Sequence, residues 1–139
     1  MNNKNRLRRT MMFLNAQKPN LLKDPYIYEP DSLIFDLEDA VALGEKDAAR
    51  FVLAHALQSV DYQNCEKVVR INGIDTPFWK EDIRCAVYAG CDSIRIPKTE
   101  SAEDVQAVEA EVLKAEKEAG VEEGHTLLMA AIESAKGVI

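Results

Sequence analysis

The chain has 139 residues, of which 47% are hydrophobic, and its formal net charge is −7. This composition favours one globular domain with a buried core, and the acidic balance argues against binding to nucleic acid or to anionic lipid. Cys65, Cys85 and Cys91 form no CxxC pair, which is typical of reduced thiols in a cytoplasmic protein and disfavours zinc or disulfide roles.

Apolar runs rich in β-forming residues alternate with segments of helical period, and no run approaches the length of a membrane span. The first connection has room for only a short helix, whereas apolar residues between 49 and 60 recur on one helix face. Continuous apolar strands separated by helices predict the α/β class, with a parallel sheet covered by helices. The predicted strands are residues 8–14, 32–38, 67–72, 93–98 and 126–134.

The later helices carry recognisable start and stop signals. Thr76 is the predicted cap of the helix after the third strand, with Pro77 at its first position and Gly90 at its end. Ser101 is the predicted cap of the next helix, which Gly120 ends.

The spacing of the strands distinguishes a barrel from an open sheet. Five strands in 139 residues give about 28 residues per unit, so eight units need roughly 220 residues, within the range of a (β/α)₈ barrel. We therefore predict that residues 1–139 form one apparently truncated domain of the (β/α)₈ TIM-barrel type, containing about the first five strands. A doubly wound sheet is the alternative, but the glycine-rich turn typical of its nucleotide site is missing from "FLNAQKPN".

Polar side chains follow four successive predicted strands at their carboxyl ends. Side chains alternate along a strand, so polar residues two apart share a face. In parallel α/β folds ligands bind at this end of the sheet, which makes these residues the predicted walls of a site. They are Asp36, Glu38, Arg70, Asn72, Lys98 and Glu133.

The carboxylates of Glu38, Asp39 and Glu133, facing Arg70, indicate oxygen ligands for a hard divalent ion such as Mg²⁺ and an arginine for an anionic substrate. Zinc fits less well, because no histidine or cysteine is predicted at this end. A glutamate alone can also act as a base. The structural alternative is that these acids form buried ion pairs with Arg70 or cap the following helix.

Collinear blocks from about residue 6 onward resemble the citrate lyase beta subunits, within the wider citrate lyase and malyl-coenzyme A lyase family of HpcH/HpaI-type aldolases. The resemblance covers nearly all of this chain and about the first half of a family member. It implies a (β/α)₈ barrel and magnesium-dependent cleavage of a carbon–carbon bond beside a thioester. The blocks are "RRTMMFL", "DSLIFDLEDAV", "EKDAARF", "VVRINGIDTP", "AGCDSIRIPKTE" and "LLMAAIESAKGV".

The resemblance also implies roles for single residues. Glu133 of "AIES" matches the family's metal-ligating glutamate, and Arg70 of "VRIN" matches its substrate-binding arginine. Glu38 and Asp39 of "DLEDAV" match acids that hold metal-bound water or position the reacting groups.

Lys98 and Arg9 are further candidates for substrate binding. Lys98 can equally be solvated, and Arg95 can belong to a structural ion pair inside the barrel.

Two departures from the family pattern stand out. Asn15 and Ala16 replace the Pro-Gly after the first strand, and the second metal ligand, an aspartate, is expected beyond the fifth strand and outside this chain.

The function implied by the resemblance is cleavage of citryl thioester, on acyl carrier protein or coenzyme A, to oxaloacetate and acetyl thioester. The alternatives are a lyase for malyl or another hydroxyacyl coenzyme A, and a catalytically incomplete assembly subunit. The expected partners are the citrate lyase alpha and gamma subunits, within a cytoplasmic assembly that includes further copies of the chain.

Overall fold

The fold is a parallel sheet whose strands follow one another in space as they do in the chain. The computed structural model describes residues 5–139, so residues 1–4 of the predicted domain lie outside the described residues. Within residues 5–139 the sheet has five strands in the order β1-β2-β3-β4-β5, with every neighbouring pair parallel. The strands are β1 Met11–Asn15, β2 Ser32–Asp36, β3 Glu66–Arg70, β4 Ser93–Ile96 and β5 Leu127–Ala130.

Helical segments connect successive strands and also follow the last of the described ones. The first connection is irregular, as the sequence predicts, with a four-residue helix and a 3₁₀ turn at Pro25–Tyr28. A second 3₁₀ turn, Leu43–Glu45, leads into α2. The helices are α1 Pro19–Leu22, α2 Lys46–Ser59, α3 Trp79–Ala89, α4 Ala102–Ala119 and α5 Ala135–Val138. None of the helices within the described chain is both long and apolar enough to cross a membrane.

The sequential strand order confirms the α/β prediction and favours a barrel over a doubly wound sheet. A doubly wound sheet reverses its order at a switch point, whereas a (β/α)₈ barrel adds each strand beside the last. The described strands show no reversal. The sheet is therefore that of a partial barrel.

The two faces of the sheet are buried in different surroundings. Leu33 and Phe35 of β2 belong to the core between the strands and the helices, where Phe35 packs edge-on against Tyr62 with ring centroids 5.2 Å apart. Ile34 and Asp36 alternate with them and lie on the opposite face. Both are buried as well, so this face forms the inside of the curved sheet.

The helix signals are largely confirmed. Ser101 and Asp104 form a capping box at the start of α4, and Gly90 and Gly120 end α3 and α4 in the left-handed region at φ 91° and 69°. The prediction for the start of α3 is wrong, because the helix begins only at Trp79.

The residues before α3 form a turn instead of the first helical turn. The Thr76 hydroxyl donates to the carbonyl oxygen of Gly73 at 2.6 Å and accepts a weak bond from the amide of Phe78 at 3.4 Å. Thr76 and Pro77 therefore stabilise this turn and do not cap or open the helix.

The amino end of the sheet holds a buried polar cluster centred on Glu66, which is 0% exposed. Both carboxylate oxygens accept bonds of 2.7 Å from the guanidinium of Arg8, and each accepts a further 2.7 Å bond from the hydroxyl of Ser32 or Ser93. Burial acts to raise the pKa of Glu66, but these hydrogen bonds outweigh it and hold the pKa below its usual range. The charge is thus stabilised inside the fold.

The substitution Glu66→Gln is expected to lower the free energy of unfolding at pH 7 by about 3 kcal/mol, because it removes the buried negative charge that pairs with Arg8. A carboxylate with a lowered pKa stabilises the fold above its unfolded pKa, and this contribution is lost as the pH falls through the folded pKa. Urea unfolding at several pH values should therefore show that the difference between wild type and variant shrinks in acid. Glu123→Gln, at an exposed position, is the matched control, and equal stability of the two variants would contradict this role.

Candidate active site

The site is organised by an ion pair between the ends of β2 and β3. Strand pairing places Asp36 directly beside Arg70. The Nε of Arg70 donates to Oδ1 of Asp36 and Nη2 donates to Oδ2, both at 2.8 Å. The side chain of Asp36 is 4% exposed and that of Arg70 is 13% exposed. This bidentate pair is therefore shielded from water, and it fixes the plane of the guanidinium.

Asp36 also shapes the turn that follows β2. Its two carboxylate oxygens accept bonds from the amides of Glu38 at 2.9 Å and Ala40 at 3.0 Å. Burial acts to raise the pKa of Asp36, but the bonds from Arg70 and the Glu38 amide outweigh it and lower the pKa. Asp36 is therefore charged and holds both the arginine and the turn. Its strand-end position marked it for the site, but sequence reasoning gave it no role.

Lys46 holds the same turn from the opposite side. Its Nζ donates to the carbonyl oxygens of Leu37 at 2.9 Å and Glu38 at 2.7 Å, and the residue is 7% exposed. Lys46 is the first residue of α2, where the helix dipole disfavours a cation. Burial lowers its pKa, while the charges of Asp82 and Asp36 oppose this effect. Sequence reasoning missed Lys46; a lysine at a helix start is the signal that marks it.

Glu38 is consequently held by its backbone with its carboxylate turned toward cations. Its Oε1 lies 3.5 Å from Nη1 of Arg70, and its Oε2 lies 3.8 Å from Nζ of Lys98. Burial raises the pKa of Glu38, the charge of Asp39 adds to this, and Arg70 and Lys98 oppose it. The Oε1 atom is buried and has no hydrogen-bond partner among the described residues. This oxygen is available to a ligand, a metal ion or a proton.

Glu133 and Lys98 lie at the same edge of the sheet. Oε2 of Glu133 accepts a 3.1 Å bond from the backbone amide of Lys98, whose φ is 50°. Glu133 is exposed, and its charge is close enough to raise the pKa of Glu38. The structure therefore brings together Glu38, Arg70, Lys98 and Glu133, with Asp39 beside them.

The remaining predicted residues require corrections. Arg9 precedes β1 at the amino end of the sheet, where its guanidinium pairs with Asp31 at 2.9 Å. It lies at the opposite end of the sheet from Glu38, so the structure does not bring Arg9 to the other predicted substrate-binding residues. Asn72 lies beyond the end of β3, and its Nδ2 donates to Asp82 of α3 at 2.7 Å. The alternation of side chains between the two faces of β3 therefore ends before Asn72, which does not share the inner face with Arg70 as the sequence predicted.

Asn15 connects the first two loops at this edge. Its Nδ2 donates to the carbonyl oxygen of Ala40 at 2.8 Å, and its Oδ1 accepts from the amide of Gln17 at 2.9 Å. The departure from Pro-Gly at this position thus adds a side-chain bridge between the loops after β1 and β2.

Glu38 and Glu133 fit a magnesium site in part. Within residues 5–139, no three His, Cys, Asp or Glu side chains meet in a way that could hold a metal ion alone. Mg²⁺ in proteins commonly uses one or two carboxylates and takes its other ligands from water and substrate. The unbonded buried oxygen of Glu38 and the exposed carboxylate of Glu133 match that requirement.

An open cavity of about 300 Å³ adjoins Glu38 and Asp39. It lies between the loops after β2 and β3 and gives a small molecule access to the carboxylates. Its lining includes Glu38, Asp39, Lys46, Asn72, Phe78 and Lys98.

Comparisons with known proteins identify the relatives of this arrangement. A family model described as HpcH/HpaI aldolase/citrate lyase matches residues 9–139. A citrate lyase subunit beta of Leuconostoc mesenteroides subsp. cremoris is 55% identical over 139 residues, which is 100% of this chain and 46% of that protein. A (3S)-malyl-CoA thioesterase of Cereibacter sphaeroides is 39% identical over 102 residues, covering 73% of this chain and 36% of that protein. The chain spans about half the length of the beta subunits it matches.

Solved structures from Mycobacterium tuberculosis share the fold. A CitE protein in complex with magnesium, acetoacetate and coenzyme A is 28% identical with a TM-score of 0.67, covering 94% of this chain and 43% of that one. A citrate lyase beta subunit complexed with oxaloacetate and magnesium is 27% identical with a TM-score of 0.63, covering 94% and 51%.

The substitution Lys46→Met is expected to loosen the turn after β2, because two buried carbonyl groups lose their donor. Hydrogen exchange of the Glu38 and Ala40 amides, followed by NMR, should accelerate at least tenfold relative to amides in α4. The free energy of unfolding should fall by about 1–3 kcal/mol. Lys114→Met, on the exposed side of α4, is the control, and unchanged exchange at Glu38 and Ala40 in Lys46→Met would refute this role.

Proposed function

We propose that this chain, which belongs to the HpcH/HpaI aldolase/citrate lyase family, supplies the substrate-binding and magnesium-binding part of a lyase that cleaves citryl thioester to oxaloacetate and acetyl thioester. The observation that carries the proposal is the geometry of Arg70. Asp36 fixes its guanidinium while Nη1 faces Glu38 across 3.5 Å. An arginine fixed in this way can bind an anion, and the carboxylate of Glu38 beside it, whose pKa is raised, can accept a proton at the same place.

In the proposed reaction, Arg70 binds a carboxylate of the substrate through the edge that faces Glu38. Glu38 accepts the proton of the tertiary hydroxyl group, for which its raised pKa suits it. The carbon–carbon bond then breaks, the hydroxyl carbon becomes the ketone of oxaloacetate, and the electron pair leaves on the acetyl thioester as an enolate. The enolate carbon takes up the proton that Glu38 accepted, which returns Glu38 to its starting state. Arg70 stabilises the negative charge near the new ketone, and Asp39 and Lys98 position the reacting groups.

Glu133 is the proposed magnesium ligand, with Glu38 and Asp39 beside it. A bound Mg²⁺ would supply Lewis-acid chemistry at the oxygens of the oxaloacetate portion. Support comes from Oε1 of Glu38, which accepts no hydrogen bond, and from the relative in M. tuberculosis that is complexed with oxaloacetate and magnesium.

The proposal extends to the assembly. The similarity to proteins named citrate lyase subunit beta supports citrate lyase alpha and gamma subunits as partners, and an acyl carrier protein or coenzyme A as the thioester carrier. A cytoplasmic location and association with further copies of this chain are part of the same proposal.

Cleavage of malyl coenzyme A is the second candidate, since the similarity to (3S)-malyl-CoA thioesterase extends over 102 residues. The higher identity to citrate lyase subunit beta, 55% over 139 residues, favours the citryl thioester.

An oxaloacetate-release assay tests the proposed function. Two proteins should be prepared: this chain, and a fusion in which the unmatched part of the Leuconostoc relative follows Ile139. With citryl-CoA and Mg²⁺, the fusion is expected to release oxaloacetate, measured through malate dehydrogenase and NADH absorbance, and EDTA should abolish the release. Malyl-CoA in a parallel reaction identifies the second candidate. Absence of cleavage of either thioester by both proteins would refute a catalytic function for these residues.

In the same fusion, Arg70→Ala is expected to lower kcat/KM by about 100- to 1,000-fold, because the anchor for substrate charge is lost. Arg70→Lys should recover only part of this loss, since a lysine cannot bind Asp36 and the substrate through separate edges of a planar group. Arg84→Ala, at an exposed position on α3, is the control. Unchanged turnover in Arg70→Ala would remove Arg70 from the mechanism.

A further inference from the structure

The inside face of the sheet carries a second guanidinium, that of Arg95. Strand pairing places Arg95 of β4 directly beside Arg70 of β3. Both guanidiniums lie over the ring of Phe13, with their central carbons 4.9 Å (Arg70) and 5.9 Å (Arg95) from the ring centroid. The two positive charges therefore share one region of the barrel interior.

The two arginines differ in how their charge is balanced. Arg70 pairs with Asp36 and faces Glu38, whereas Arg95 forms no ion pair with any carboxylate of residues 5–139. Nη1 of Arg95 donates to the Sδ atom of Met129 at 3.1 Å, and a thioether is a weak acceptor. Its Nε is buried without a hydrogen-bond partner in the described chain. Arg95 is half-buried, and a guanidinium with a buried donor left unpaired and no carboxylate partner is suited to bind an anion.

The proposed substrate carries more charge than Arg70 alone can match. A citryl thioester has two free carboxylates, whereas a malyl thioester has one. Asp36 already uses one edge of the Arg70 guanidinium, through Nε and Nη2, so the Nη1 end remains for a substrate carboxylate. Lys98 is exposed and lies 3.8 Å from Glu38, which partly neutralises it. Arg95 is the cation on this face that still lacks a carboxylate among the described residues.

We propose that Arg95 binds the second free carboxylate of the substrate and thereby selects a tricarboxylic acyl group over a dicarboxylic one. This inference rests on the proposed function. The same contact is made by the keto-acid product, because oxaloacetate retains the second carboxylate and pyruvate, a keto acid with a single carboxylate, lacks it. In this proposal Arg95 of β4 determines specificity for the acyl group, and Arg70 binds the carboxylate that citryl and malyl thioesters share.

A binding experiment tests this inference without requiring turnover. The substitution Arg95→Met keeps an unbranched, flexible side chain beside Met129 but removes the charge and the N–H donors. It should be made in the full chain and in the fusion, and oxaloacetate and pyruvate should be titrated by calorimetry in the presence of Mg²⁺. Oxaloacetate affinity is expected to fall roughly 10- to 100-fold, the range for loss of a charged hydrogen bond, while pyruvate affinity stays within twofold.

Controls separate the possible outcomes. Arg95→Lys retains the charge without the fork and should lose only part of the preference for oxaloacetate, and Arg84→Met should change neither affinity. Equal weakening of both keto acids in Arg95→Met, or no weakening of either, would overturn the role of Arg95 and leave the proposed function intact. Failure of the wild-type proteins to bind either keto acid would overturn the proposed function itself. If Arg95→Met does not fold, the Arg95→Lys comparison decides, and an unaltered preference there overturns the inference.

Discussion

The ion pair between Asp36 and Arg70 is the interaction on which the rest of the site depends. It joins the carboxyl ends of two adjacent strands through two bonds of 2.8 Å, and the same aspartate accepts the amides that form the following turn. A buried pair of this kind contributes little net stability compared with apolar packing. Its value lies in orientation: the arginine cannot rotate, and the turn that carries Glu38 begins from a fixed point.

Charge in this protein is divided between the two ends of the sheet. At the amino end, Glu66 has donors for both of its oxygens, so that cluster is electrostatically complete. At the carboxyl end, Oε1 of Glu38 and Nε of Arg95 are buried without hydrogen-bond partners among residues 5–139. Unsatisfied buried polar atoms are costly, and Nε of Arg6 and the Thr126 hydroxyl, which precede β1 and β5, are unsatisfied as well. The contrast between the two ends therefore lies in their carboxylates: both oxygens of Glu66 accept hydrogen bonds, whereas Oε1 of Glu38 accepts none and is open to a ligand.

The sequence predicted the order of strands and helices, and the polar ends of the strands, because these follow from periodicity within single segments. The capping box at Ser101 was predictable for the same reason. Contacts between segments were not. Nothing local indicates that Asn72 turns toward Asp82, that Arg9 is held by Asp31 at the far end of the sheet, or that Lys46 reaches two carbonyl groups eight and nine residues earlier. The roles of Arg70, Glu38, Asp39, Lys98 and Glu133 came from resemblance and remain proposals, although the structure brings these residues to one edge.

The turn after β2 contributes only its backbone to the bonds with Asp36 and Lys46. Its amides donate to the Asp36 carboxylate, and its carbonyl groups accept from Nζ of Lys46. Val41 packs into the core, but the exposed side chains of Ala40, Ala42 and Leu43 take no part in these bonds. Their identity can therefore change without displacing Glu38, which makes this short segment a place where evolution, or a designed library, can vary the rim of the cavity while the reactive carboxylate stays in position.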